Sequence, residues 1–129
     1  MNLLTDEIRE TLLANGRVNA GREKTTDFKP AAKLFCPWGG ATWLLTELDP
    51  EDPDIAFGLC DLGMECPELG NVRISELEEI CGPGGLTIER DLYFSADKTP
   101  SEYADEAQRL GRIKLRRRLR HAARLSRHA

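Results

Sequence analysis

The residues of this chain best placed to do chemistry are carboxylates. Glu47 closes one run of β-forming residues, and Glu89 and Asp91 flank Arg90 in another. If those runs are neighbouring strands, the three acids converge as general acid and base, or as a divalent-metal site acting on nucleic acid. The same residues also read as architecture. An arginine on the apolar side of a strand needs a carboxylate partner, so Glu89, Arg90 and Asp91 form an expected ion-pair row. The only histidines, His121 and His128, lie in a basic C-terminus far from every cysteine, and no Ser-His or Cys-His constellation is legible. A non-enzymatic protein is therefore expected, with the carboxylate enzyme as the alternative.

Cys36, Cys60, Cys66 and Cys81 are four thiolates in number, enough for a tetrahedral zinc site, but none of their spacings is a C-x2-C or C-x4-C knuckle. Free thiols are expected, with no metal and no cofactor. Gly82-Pro83-Gly84-Gly85 follows a helical pattern and precedes a strand pattern, the reverse of the order a phosphate-binding loop needs, and so reads as a turn. Trp38 and Trp43 are candidate stacking platforms for a base or ligand, although aromatic residues in a small sheet more often fill the core.

The C-terminus is the one segment whose composition names a partner type. Residues 1–100 carry nine Lys/Arg against nineteen Asp/Glu, whereas residues 101–129 carry nine against three, so an acidic unit is joined to a basic one. Arg109, Arg112, Arg116, Arg120 and Arg124 recur every three or four positions and share a helical face, with Arg117 beside them, which suits phosphates spaced along a groove. Nucleic acid, a protein partner, self-association and a tail that folds back on its own acidic unit all fit such a segment. A membrane surface fits less well, because the apolar stripe lacks the Trp and Phe of interfacial helices.

These residues must be positioned by a small number of elements. Thr5 caps a helix with Asp6 and Glu7 in its first turn, and Asn15-Gly16 is expected to end it, opening a polar loop to residue 30. Residues 32–36 and 41–48 read as a hairpin. The acidic, proline-bearing stretch 49–54 reads as a solvated turn, and 55–62 as a third strand with a bulge or close approach at Gly58. A short fourth strand is expected at 71–74. Ser75 and Glu78 form a capping box opening a helix of about two turns. Residues 86–94 alternate as a fifth strand with Arg90 on the apolar face, and a helix spans about 102–126 with only a narrow apolar stripe.

The string ELGNVRISELEEICGPGGLTIERDLYF from Glu68 to Phe94, with Trp38-Gly39-Gly40, Thr42-Trp43 and Thr46-Glu47 upstream, resembles the domain-of-unknown-function family 2958 over roughly residues 1–97. That resemblance implies a compact core and a setting in conjugative plasmids and integrative elements, but no established activity. The combined expectation is an α+β fold: a small bent antiparallel sheet with two short helices in residues 1–98, and a basic helical tail in 99–129. Its function would be that of an accessory binding protein of a mobile element, contacting nucleic acid or a protein of the element or host. The start MNLLTDEIRE has acids where a secretory signal has bases, so a cytoplasmic location is expected.

Overall fold

In the computed structural model, residues 2–63 and 67–110 are described. They form an α+β fold on one antiparallel sheet of five strands: β1 (Ala32–Phe35), β2 (Thr42–Leu48), β3 (Ile55–Asp61), β4 (Glu68–Arg73) and β5 (Glu89–Arg90), in the order β4-β3-β2-β1-β5. Three helices accompany it: α1 (Asp6–Asn19), α2 (Ile74–Glu79) and α3 (Pro100–Leu110). No helix among the described residues is long and apolar enough to cross a membrane.

Helix α1 starts as its sequence requires, with the Thr5 hydroxyl accepting the Ile8 amide at 3.1 Å. It does not stop at Gly16. There the helix presses on β2 so closely that a Cβ would lie 1.8 Å from the Leu48 carbonyl oxygen, so glycine is a contact point here and not a terminator. One more turn carries the helix to Asn19. Gly58 is likewise a close-approach point, since a Cβ there would meet the Leu44 carbonyl oxygen at 1.9 Å. The bulge lies opposite it in β2, where the register slips between Leu45 and Glu47.

Alternation divides the sheet into two faces. One carries Ala32, Leu34, Leu45, Leu48 and Ala56, buried with Leu12, Ile74, Leu77 and Ile88 and with Leu3 and Leu4 ahead of α1. The other carries Leu44 and Leu59, covered by Tyr103 of α3 with Phe94, Ala96 and Ala104 packed around it. Tyr103 is 1% exposed although it lies beyond residue 98, so the first turn of α3 belongs to the core.

Two helix starts exchange roles relative to expectation. The capping box forms at α3: Thr99 Oγ1 accepts the Glu102 amide, and the Glu102 carboxylate accepts the Thr99 amide at 2.9 Å, with Pro100 in the first helical position. At α2 the helix begins one residue before Ser75. Its cap comes from the distant 49–54 turn, where the Asp54 carboxylate accepts the Ser75 amide at 2.9 Å and the Ser75 hydroxyl at 2.6 Å.

Two strands also differ from expectation. β4 begins at Glu68, because its backbone pairs with β3 whatever its side chains, and β5 shrinks to two residues, leaving Leu92 and Tyr93 exposed in a turn.

Candidate binding cleft

The bulge at Thr46 decides where Glu47 goes. It places Glu47 opposite Phe57, which in turn faces Asn71, so Glu47, Phe57 and Asn71 make one row across β2, β3 and β4. Beyond Leu45 the other edge of β2 has no β1 partner, and the end of α1 occupies that space. Asn15 Nδ2 donates to the Thr46 carbonyl at 2.9 Å, while Asn19 Nδ2 donates to Glu47 Oε2 at 2.7 Å and to the Thr26 carbonyl at 3.0 Å. Asn19 Oδ1 accepts the Thr26 amide, so one buried amide side chain ties the 20–30 loop to the sheet and holds Glu47 in place.

Between these elements lies a cleft of about 330 Å³. Asn19, Glu47, Phe57 and Asn71 line it, with Asp49 and Glu51 from the following turn, and no Lys or Arg is among its described lining residues. Phe57, Ile55, Leu48 and Pro50 give it apolar wall. A half-open space with three carboxylates, two amides and an aromatic ring suits a planar or tetrahedral cation better than an anion.

The neighbouring acids are committed elsewhere. Arg73 contacts Asp52 at 3.2 Å and Asp54 at 3.3 Å. The Ser75 hydroxyl, then its amide and Arg73, hold the Asp54 carboxyl below its usual value. Hydrogen bonds to the Asp52 and Asp54 carboxylates push the Arg73 guanidinium further up. The 49–54 turn is thus part of the architecture of α2 as well as the rim of the cleft.

The structure does not bring Glu47, Glu89 and Asp91 together. Glu89 pairs with Phe35 and Phe35 with Thr42, at the opposite end of β2 from Glu47. Five residues of strand and two interstrand steps separate them by about 20 Å. Nor do Glu89 and Asp91 pair with Arg90. Asp91 bonds instead with Lys33, buried on β1, at 3.6 Å, and Glu89 is exposed. Arg90 Nη1 donates to the Leu3 carbonyl, while the Leu3 amide donates to Glu78 at 3.0 Å. The expected capping acid and the expected ion-pair arginine together clamp the segment ahead of α1.

Trp43 is buried in the core, and Trp38 lies half-buried over Gly82, where a Cβ would meet its ring at 2.5 Å. Burial leaves Trp43 no open face for stacking, and Gly82 takes up one face of the Trp38 ring. Cys36 is buried, Cys60 is half-buried with burial pushing its thiol up, and Cys81 is exposed, and these three share no common centre. Cys66 lies outside the described residues. Arg109 falls in the last turn of α3, while Arg112, Arg116, Arg117, Arg120 and Arg124 lie outside the described residues.

Sequence reasoning missed Asn19 and Lys33. The signal for Asn19 was its spacing of four from Asn15, which puts both amides on one side of a helix. For Lys33 it was a lone lysine inside an apolar strand.

An acidic α+β sheet protein with a cation-suited cleft is the class these features define. The chain belongs to the family described as protein of unknown function (DUF2958), whose model matches residues 3–114. That match reaches through α3, beyond the residue 97 at which the resemblance was expected to end. No curated protein and no solved structure matches the chain.

Proposed function

We propose that this protein is a non-enzymatic accessory binding protein of a mobile genetic element, and that its C-terminal segment contacts the phosphate backbone of nucleic acid. One observation carries the reading. Residues 111–129 hold seven Arg and one Lys with no Asp or Glu, and they follow directly from a helix rooted in the core by Tyr103. Arginine forks pair bidentately with phosphate, and neutralising phosphates releases condensed counterions whatever the base sequence. The mobile-element setting rests on the family resemblance of the 38–47 and 68–94 strings. A catalytic alternative built on Glu47, Glu89 and Asp91 loses its support with their separation.

The test is duplex binding by the full-length protein across a salt series. With five to eight phosphates neutralised, the log-log slope of affinity against salt is about −4.5 to −7, at about −0.9 per contact. Replacing Arg116, Arg117, Arg118 and Arg120 with Gln should flatten that slope, with little dependence on base sequence in either protein. Absence of binding at low salt would remove the nucleic-acid reading.

A further inference from the structure

We propose that the cleft beside α1 seats an arginine side chain of the chain's own C-terminal segment, residues 111–129, in competition with nucleic acid. The inference rests on the nucleic-acid reading and adds its regulation. The receiving site is built before any occupant arrives. Asn19 is buried and spends both its amide hydrogens and its carbonyl on Thr26 and Glu47, so Glu47 is held by one oxygen at 2.7 Å while the other faces no partner among the described residues. Asp49 and Glu51 add two carboxylates at the rim, and Phe57 offers a ring face for a guanidinium plane. The volume of about 330 Å³ lies at the lower end of small-ligand pockets, room for one side-chain head but not for a folded element.

Charge and reach select the occupant. The described cleft lining carries three acids and no base, and residues 111–129 carry eight bases and no acid. Helix α3 packs on the same face of the sheet as the cleft: Tyr103 covers Leu59, and Phe57 is the next residue on that side of β3. From the end of α3 to the cleft is at most about 30 Å, counting one helix width, two strand residues and the helical rise from Tyr103 to Leu110. About ten extended residues span that distance at about 3.3 Å each, and nineteen follow Leu110. Tethering at this length gives an effective concentration on the order of millimolar, enough to populate a contact that would be weak between separate molecules.

The experiment compares full-length Glu47→Gln/Asp49→Asn/Glu51→Gln with a control that loses the same charge elsewhere, Glu68→Gln/Glu76→Gln/Glu79→Gln. The Glu47→Gln change keeps a side-chain oxygen to accept from Asn19. The Asp49→Asn change keeps one for the backbone amide of residue 51, which Asp49 accepts at 2.9 Å, so the cleft variant retains its fold-defining bonds. If nine molecules in ten have the segment seated, freeing it raises duplex affinity about tenfold over the control. Equal affinities of the two variants would overturn the proposal. Zero-length carbodiimide coupling of Lys114 to the cleft acids, on a mixture of light and heavy isotopic chains, supplies the second readout. Links confined to one chain support it, whereas links between light and heavy chains assign the cleft to a second copy and overturn it, as does the lack of any link from Lys114. If neither variant binds duplex at low salt, the nucleic-acid reading fails by itself, and the coupling result still decides the docking.

Discussion

The two faces of the sheet are filled by different means. The face under α1 and α2 is hydrocarbon up to the Arg90 and Glu78 clamp on Leu3 at its edge: Leu12, Leu34, Leu45, Leu48 and Ala56 close it, and Gly16 lets α1 come down to backbone contact. Among the described residues, the face under α3 is covered only in its middle. There Leu44 and Leu59 lie beneath Tyr103, flanked by the Lys33–Asp91 pair on one side and the Glu47, Phe57 and Asn71 row on the other. The contrast comes from helix composition. Helix α1 brings an apolar stripe and a glycine, whereas α3 sets one large ring with Ala104 beside it on its face, and charged or polar residues border that small patch. The dry face sets stability, and the incompletely covered face leaves room for a ligand.

The largest expected effect tests the dry face. Gly16→Val forces branched carbon into the Leu48 carbonyl, and α1 must lift from β2, at a cost of about 4 kcal/mol or more by urea denaturation. A loss under about 1 kcal/mol would show that α1 slides freely on the sheet, and the contrast between faces would weaken. Next comes Tyr103→Ala, expected to cost about 3 kcal/mol, comparable to Leu45→Ala on the opposite face. Near-neutrality of Tyr103→Ala would detach α3 from the core. By the same logic, a truncation after residue 100 should fail to fold properly where one after residue 110 folds.

Asp91→Asn removes the charge of the carboxylate paired with buried Lys33 and should cost about 3 kcal/mol, whereas Arg90→Ala removes one charged hydrogen bond to the Leu3 carbonyl and should cost about 1.5 kcal/mol. The reverse order would restore Arg90 as the principal cation of that strand. The smallest effect is a pH dependence. The Asp54 carboxyl is held below the ordinary aspartate value, so the stability it contributes is fully present above that value and is lost as pH falls through the lower folded value. Denaturant melts from about pH 5 down to about pH 2.5, spanning the titration of ordinary and lowered carboxyls, should show this loss in the parent chain and a flatter profile in Asp54→Asn. Identical profiles would mean that α2 does not depend on its borrowed cap.

Much of this fold was legible one element at a time. The Thr5 cap, the 32–48 hairpin, the third strand and the close approach at Gly58 follow from local patterns, because cap chemistry and period-two alternation act over a few residues. The cleft was legible only as fragments: Glu47 drew notice as an acid at a strand end, while Asn19, its holder, sat in what read as a loop. The Ser75 and Glu78 spacing marked a helix start correctly but misassigned the bonds, since Asp54 and the Leu3 amide competed for the same partners and won.

By itself, then, the sequence determined the fold class, most of the elements and the separation of an acidic unit from a basic segment, all of which depend on composition and short-range periodicity. Only the tertiary structure decided who meets whom. Lys33 and not Arg90 takes Asp91, Glu47 lies a sheet-length away from Glu89, and Tyr103 belongs to the core. Each of these depends on strand order, a one-residue bulge or a helix-to-sheet approach, and those are set by packing between segments distant in the chain, which no local pattern encodes.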